Sequence, residues 1–187
     1  MVGARNVSEK AKDNTRNRAI TLGQNGITVV SRLAKGIDVS AHLAALQNGY
    51  NTIAVNGKHL NQYYPSENKE VQLEIEKRGL VVSQFSPANK TQRWFFPLRN
   101  GVMSGLSLAT IIMEASETSG ALKQADFALK QERQVLIKAS VLRMEQITWP
   151  EKYVQRGAQV VNRPSDILEI LGNNCFLKSE LRVELKS

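Results

Sequence analysis

An alternation constrains this chain more than any other feature. Short apolar runs rich in β-branched residues recur along it, and each hands over to a segment with helical spacing. Ile27-Thr28-Val29-Val30 reads as a buried strand, followed by a helix that Asp38 caps and Gly49 stops. Ala41, Ala44 and Ala45 would let that helix pack closely on a sheet. Thr52 to Val55 is the next strand, then a helix from Pro65 to Gly79, then a strand from Leu80 to Val82. Leu108 to Met113 reads as a strand, Gly120 to about Gln131 as a helix, and Val135 to Ile137 as a strand. A helix around Trp149 to Arg156, a strand at Gln159-Val160-Val161 and a helix from Pro164 through Leu171 complete the series. The pattern predicts an α/β fold with three layers: a mostly parallel sheet with helices on both faces.

The first residues fit the same scheme. Met1-Val2-Gly3-Ala4 looks like the last part of a strand cut short. Ser8 to Gly23 should be a helix capped by Ser8, with a thin apolar face of Ala11, Ala19, Ile20 and Leu22 that marks it as marginal and mobile. The expected domain covers residues 1–172, and 173–187 form a polar tail.

Composition narrows the class. With 42% hydrophobic residues and no apolar run of about 18, the chain reads as a globular, cytoplasmic protein without a membrane span. One cysteine excludes an intrachain disulfide, and His42 and His59 lack metal-ligand spacing, so no metal or cofactor is expected. A net charge of +8 favours an anionic partner, nucleic acid being the commonest. The cations are dense from Lys10 to Arg18 and otherwise recur singly, mostly near expected strand ends or in loops. Ligands bind there in open α/β sheets.

Several turns carry candidate chemistry. Glu114 to Ser119 leads from a strand into a helix opened by Gly120; free N–H groups and the helix dipole there suit a phosphate, although Ser119 serves equally as an ordinary N-cap. Arg99 and Asn100 sit one strand upstream and offer donors to the same anion. Gly3-Ala4-Arg5-Asn6 follows a strand, and Arg5 suits a phosphate through two parallel hydrogen bonds. In Ser31 to Asp38, Gly36 supplies an unusual backbone angle. His42 lies one turn beyond Asp38; a packed histidine is favoured there over a catalytic pair. Lys69 falls early in a helix, where the dipole disfavours a cation unless an anion sits close by. Arg93 to Arg99 interleaves cations and aromatics in an expected loop, the composition of a single-strand stacking platform.

Taken in order, Val2–Ser8, Val29–His42, Thr52–Glu70, Gly79–Phe85, Phe96–Ser107 and Glu114–Leu122 resemble the DprA/Smf family of DNA-processing proteins, and Arg156–Val161 with Asp166–Leu171 resembles the end of the same domain. The resemblance implies a Rossmann-like domain that binds single-stranded DNA, protects it during transformation and recombination, and loads a RecA-type recombinase. It implies a homodimer and no catalysis. By the resemblance, Arg5, Lys69 and Arg99 line the phosphate pocket, assisted by Asn68, Asn100, Ser119 and Gly120; Gly3, Ser8, Arg32, Lys35 and Phe96 are additional candidates.

The sequence departs from the family pattern in places. Arg32 stands where the family usually has Gly, and Gly101 where it has a second Arg. Lys138-Ala139-Ser140 replaces an expected Pro-Gly element. The alternatives are a nucleotide-binding sensor module and a LOG-like nucleoside-monophosphate phosphoribohydrolase. The latter motif puts Glu four residues after the helix-opening Gly. Here that position is Gln124, which is no general base, and Glu114 and Glu117 precede the helix.

Overall fold

The computed structural model describes residues 1–88, 90–144 and 147–173. Most of the expected tail, Cys175 included, lies outside the described residues. In chain order the elements are α1 (Glu9–Gln24), β1 (Val29–Ser31), α2 (Ile37–Gln47), β2 (Thr52–Val55), a 3-10 turn (Ser66–Asn68) leading into α3 (Lys69–Arg78), and β3 (Leu80–Val82). They continue with α4 (Phe95–Gly105), β4 (Ala109–Ile112), α5 (Gly120–Lys130), β5 (Gln134–Lys138), a 3-10 turn (Ala139–Arg143), α6 (Trp149–Gln155), β6 (Gln159–Val161) and α7 (Pro164–Asn173). No helix among the described residues is long and apolar enough to cross a membrane.

Strands β1-β2-β3 form one parallel set and β4-β5-β6 another. Residues 1–4 join them. The Val2 N–H donates to Ile111 O at 2.9 Å and Met113 N–H donates to Val2 O at 3.0 Å. On the other side the Met1 ammonium donates to Val30 O at 2.7 Å and Ser31 Oγ donates to Met1 O at 2.6 Å. The strand order is therefore β3-β2-β1, residues 1–4, then β4-β5-β6. The winding direction reverses at residues 1–4, the topological switch point of the sheet.

Alternate residues of each strand feed opposite layers, as the period of two requires. Val30, Val55, Ile112, Val135 and Ile137 meet Met103 of α4, Ala121 and Ala125 of α5, and Trp149 and Tyr153 of α6. Val29, Ile111 and Leu136 face the other way, toward Ala19 and Leu22 of α1, Ile37 and Ala41 of α2, and Ile167 of α7. Ala54 of β2 packs with Ile75 of α3 on that second face. The expected three layers are present.

Two local expectations need correction. Asp38 does not cap α2; Gly36 occupies the cap position and Asp38 lies in the first turn with its side chain buried. Gly36 is required there, because its φ is +84° and a Cβ would stand 2.4 Å from Arg5 O. Residues 95–99 are not loop: they form the start of α4. The thin apolar face of α1 is supplemented by polar groups; Ser8 Oγ caps it at Ala11 N–H, Thr15 bonds back to Ala11 O, and buried Arg18 donates to Asn162 O.

Candidate nucleic-acid interface

The carboxyl ends of residues 1–4, β1 and β2 open into a cavity of about 230 Å³, beneath the start of α4. Arg5, Lys35, Tyr64, Glu67, Phe96 and Arg99 are among its walls. Each arrives there for a local reason. Arg5 is the first exposed residue after the switch-point segment. Lys35 sits in the turn between β1 and α2. Phe96 and Arg99 are three apart on α4, hence on one helix face. Gly57 lets the Phe96 ring close the cavity, since a Cβ there would lie 2.7 Å from Phe96 Cδ1. Tyr64 continues the aromatic wall, its ring centroid 5.5 Å from that of Phe96, with Lys58 Nζ 4.4 Å from the Tyr64 centroid. Phe95 points the other way and stacks on Phe85 at 3.8 Å, 3% exposed.

Charge is unbalanced at this site. Arg99 is buried; its Nη1 donates to Val55 O at 2.8 Å and its Nε to Asn100 Oδ1 at 3.2 Å. Neither acceptor carries a charge. Burial first, then Arg32, pushes the Arg99 guanidinium below its usual pKa; Asp38 opposes the shift and Arg5 adds to it. Two guanidinium groups thus repel Arg99, and the Asp38 carboxylate opposes them. That carboxylate is taken, because Asp38 accepts from Arg32 Nε at 2.6 Å and Nη2 at 3.1 Å. Lys35 meets Glu67 at a loose 3.8 Å, both side chains more than half exposed, and such a pair is weak. The site is suited to an anion that supplies the missing negative charge.

The expected site residues divide into groups. Arg5, Lys35, Phe96 and Arg99 line the cavity together. Asn100 holds Arg99. Asn68 is buried and donates to Leu33 O at 2.7 Å, which fixes a wall residue instead of meeting a ligand. Lys69 is exposed outside the cavity, its Nζ 5.3 Å from the Tyr63 centroid. Ser119 behaves as the plain N-cap, its Oγ accepting from Ala121 N–H at 3.2 Å. Gly120 lies near Arg32 Nη1, and neither residue belongs to the cavity lining. Gly3 lies buried where a Cβ would strike Ile37, and Ser8 caps α1. Arg32 is 8% exposed and paired with Asp38, so it sits behind the wall as a charge without lining it.

Asn56 and Tyr64 are among the cavity residues that the expected set did not include. Asn56 is 3% exposed just past β2, with Oδ1 accepting from Lys58 N–H at 3.3 Å. The signal for it was its place at a strand's carboxyl end. Tyr64 stood in a segment already singled out.

Two residues weighed for catalysis lie in the core. His42 is wholly buried, with Nε2 2.8 Å from Arg32 O and Nδ1 2.7 Å from Thr52 Oγ1. Burial drives its pKa down to about 4. Gln124 is also fully buried; its amide, oriented to satisfy both ends, donates to Asn100 O at 3.0 Å and accepts from Ser104 N–H at 3.1 Å. It ties α4 to α5 inside the core.

Comparison with known proteins adds an independent line. A family described as DNA recombination-mediator protein A matches residues 1–172. DNA processing protein DprA of Streptococcus pneumoniae is 35% identical over 168 residues, and its crystal structure superposes with a TM-score of 0.78. The Bacillus subtilis protein of the same name is 33% identical over 171 residues. These alignments cover 90% and 91% of this chain but only 59% and 58% of those relatives, so the chain spans under two thirds of their length. DNA processing protein A of Helicobacter pylori, described for its single-stranded DNA binding mode, is 26% identical with a TM-score of 0.81, over 92% of this chain and 79% of that one.

Proposed function

The chain belongs to the DNA recombination-mediator protein A family, and from that premise we propose that it binds single-stranded DNA through the cavity at the switch point, without catalytic turnover. One observation carries the reading: Arg5, Lys35 and Arg99 line one cavity and repel one another, and its acidic wall residue, Glu67, makes only a loose, exposed pair with Lys35. A phosphate entering between Arg5 and Arg99 would relieve that repulsion and accept charge-assisted hydrogen bonds. Phe96 and Tyr64 supply faces on which a base stacks, beside the cations that hold the backbone. Lys69 is an outer contact, reached after the pocket fills. Asn68 and Asn100 act indirectly, by holding Leu33 and Arg99.

The wider role follows the family. In this reading the protein works in the cytoplasm as a homodimer, shields single strands during uptake or recombination, and delivers them to a RecA-type recombinase. The buried Gln124 and His42 favour binding over nucleotide hydrolysis.

The test is a fluorescence anisotropy titration of labelled oligothymidylate against a matched duplex, over a range of salt. Arg5 makes no ion pair or hydrogen bond found among the described residues, so Arg5→Ala isolates its contact with the ligand. The variant should bind about tenfold more weakly, the value of one charge-assisted hydrogen-bonded contact. Its salt slope should drop by about 0.7, the share of one phosphate contact on a single strand. Absence of single-strand binding at low salt, or an Arg5→Ala variant that binds as well as the parent, sinks the reading.

A further inference from the structure

The dense cations of the N-terminal helix are not used by the cavity. Two of them, Lys12 and Arg16, line a second groove instead. This groove, about 400 Å³, runs between α1 and α2 and is bordered by Arg5, Lys12, Arg16 and Lys35. Its floor is apolar, built from half-buried Val7, Val39 and Leu43. No acidic residue lines it. It shares Arg5, Asn6 and Lys35 with the switch-point cavity, so the two spaces meet along one wall.

We infer that single-stranded DNA leaving the switch-point cavity continues along the α1–α2 groove, with Lys12 and Arg16 holding its phosphates. This rests on the proposed DNA-binding role of the cavity. A cavity of about 230 Å³ falls below the usual size of a small-molecule pocket, so it encloses one nucleotide-sized group and not a run of them. A polymer seated there must exit. The route past Arg5 and Lys35 keeps cations on both sides and an apolar floor below, the combination that holds a strand without reading its sequence.

The carboxylates near this path do not block it. Lys12 pairs with Glu9 and Arg16 with Asp13, each one turn away on α1. Both acids are well exposed, at 72% and 62%, and neither borders the groove. Surface pairs of this kind contribute little and exchange readily for phosphate. An acidic peptide with apolar side chains would meet the same chemistry, but nothing links such a peptide to the cavity, whereas a strand threads both spaces in one molecule.

The experiment compares a thymidine dinucleotide, short enough to stay within the cavity, with an oligothymidylate of about twenty nucleotides, which must extend past it. The double variant Lys12→Gln/Arg16→Gln changes solvent-facing side chains, and circular dichroism checks that it folds. The long oligomer should bind about tenfold more weakly, and its salt slope should fall by about 1.4, two phosphate contacts on a single strand. The dinucleotide should bind as before. Arg16→Lys with Lys12 intact should retain long-oligomer binding, since the charge is kept. Unchanged long-oligomer affinity overturns the inference, as does equal weakening of both lengths, which would place the effect in the cavity. If the parent protein binds neither oligomer, the cavity reading fails and this inference fails with it. If an acidic peptide occupies the groove while long DNA is indifferent to the double variant, the groove is a protein site and the inference is wrong.

Discussion

The Arg32 guanidinium lies flat against the Asp38 carboxylate, with Nε 2.6 Å from Oδ2, Nη2 3.1 Å from Oδ1, and both side chains buried. The pair spans the turn between β1 and α2 and also reaches the switch-point segment, since Nη2 donates to Gly3 O at 3.3 Å. Removing one partner leaves the other charge buried and uncompensated. Asp38→Ala should therefore destabilise the fold by about 3–5 kcal/mol in urea titrations. A loss below about 1 kcal/mol, the scale of exposed pairs, would show that water compensates Arg32.

His42 sets a pH dependence. Its folded pKa is lowered to about 4 by burial, from an ordinary 6.5. Between those values the unfolded chain binds a proton that the folded one refuses, so stability rises with pH. The full contribution is present above pH 6.5 and is lost as pH falls toward 4. The loss should approach about 3 kcal/mol. His42→Gln should flatten this part of the profile in urea titrations across pH; an unaltered slope in the variant would assign the effect to another group.

Gly36→Ala should damage both fold and site. The residue holds φ +84°, and a Cβ would press on Arg5 O at 2.4 Å and Ala4 O at 2.6 Å. The backbone strain alone costs about 1–3 kcal/mol. Relief requires the turn to move away from Arg5, so single-strand affinity should fall as well, measured at a denaturant-free temperature where the variant is folded. Normal affinity in a destabilised variant would mean that Arg5 does not depend on this contact.

Gln124→Glu tests the hydrolase alternative. The change places a carboxylate against the Asn100 carbonyl in the core and removes a donor. It should cost about 1–3 kcal/mol of stability. Neither parent nor variant should release free base from nucleoside monophosphates, followed by chromatography. Appearance of base in the variant would restore the enzymatic reading.

The order of elements was legible because it rests on local signals. Apolar runs at Val29, Thr52, Leu80 and Ala109 give strands by periodicity, and Ser8 and Ser119 cap helices through their own side chains. The family resemblance was legible for a related reason: its motifs are the turns between those elements. Boundaries were less secure. Residues 95–99 read as loop because Pro97 and the aromatics break helical periodicity, yet proline is tolerated in the first turn, and packing of Phe95 on Phe85 completes α4.

Within the site, the sequence determined which residue types were available: cations after strands, aromatics before a helix, a glycine where a turn needs one. Which of them meet was decided by tertiary structure alone. The winding reversal at residues 1–4 brings Arg5 to Arg99, which lie far apart in the chain, and leaves Ser119 and Gly120 outside the cavity. Asp38 and Arg32 are only six residues apart, yet pair because burial makes an unpaired charge too costly. Strand order and burial are collective properties of the packed sheet, and no local pattern in the chain encodes them singly.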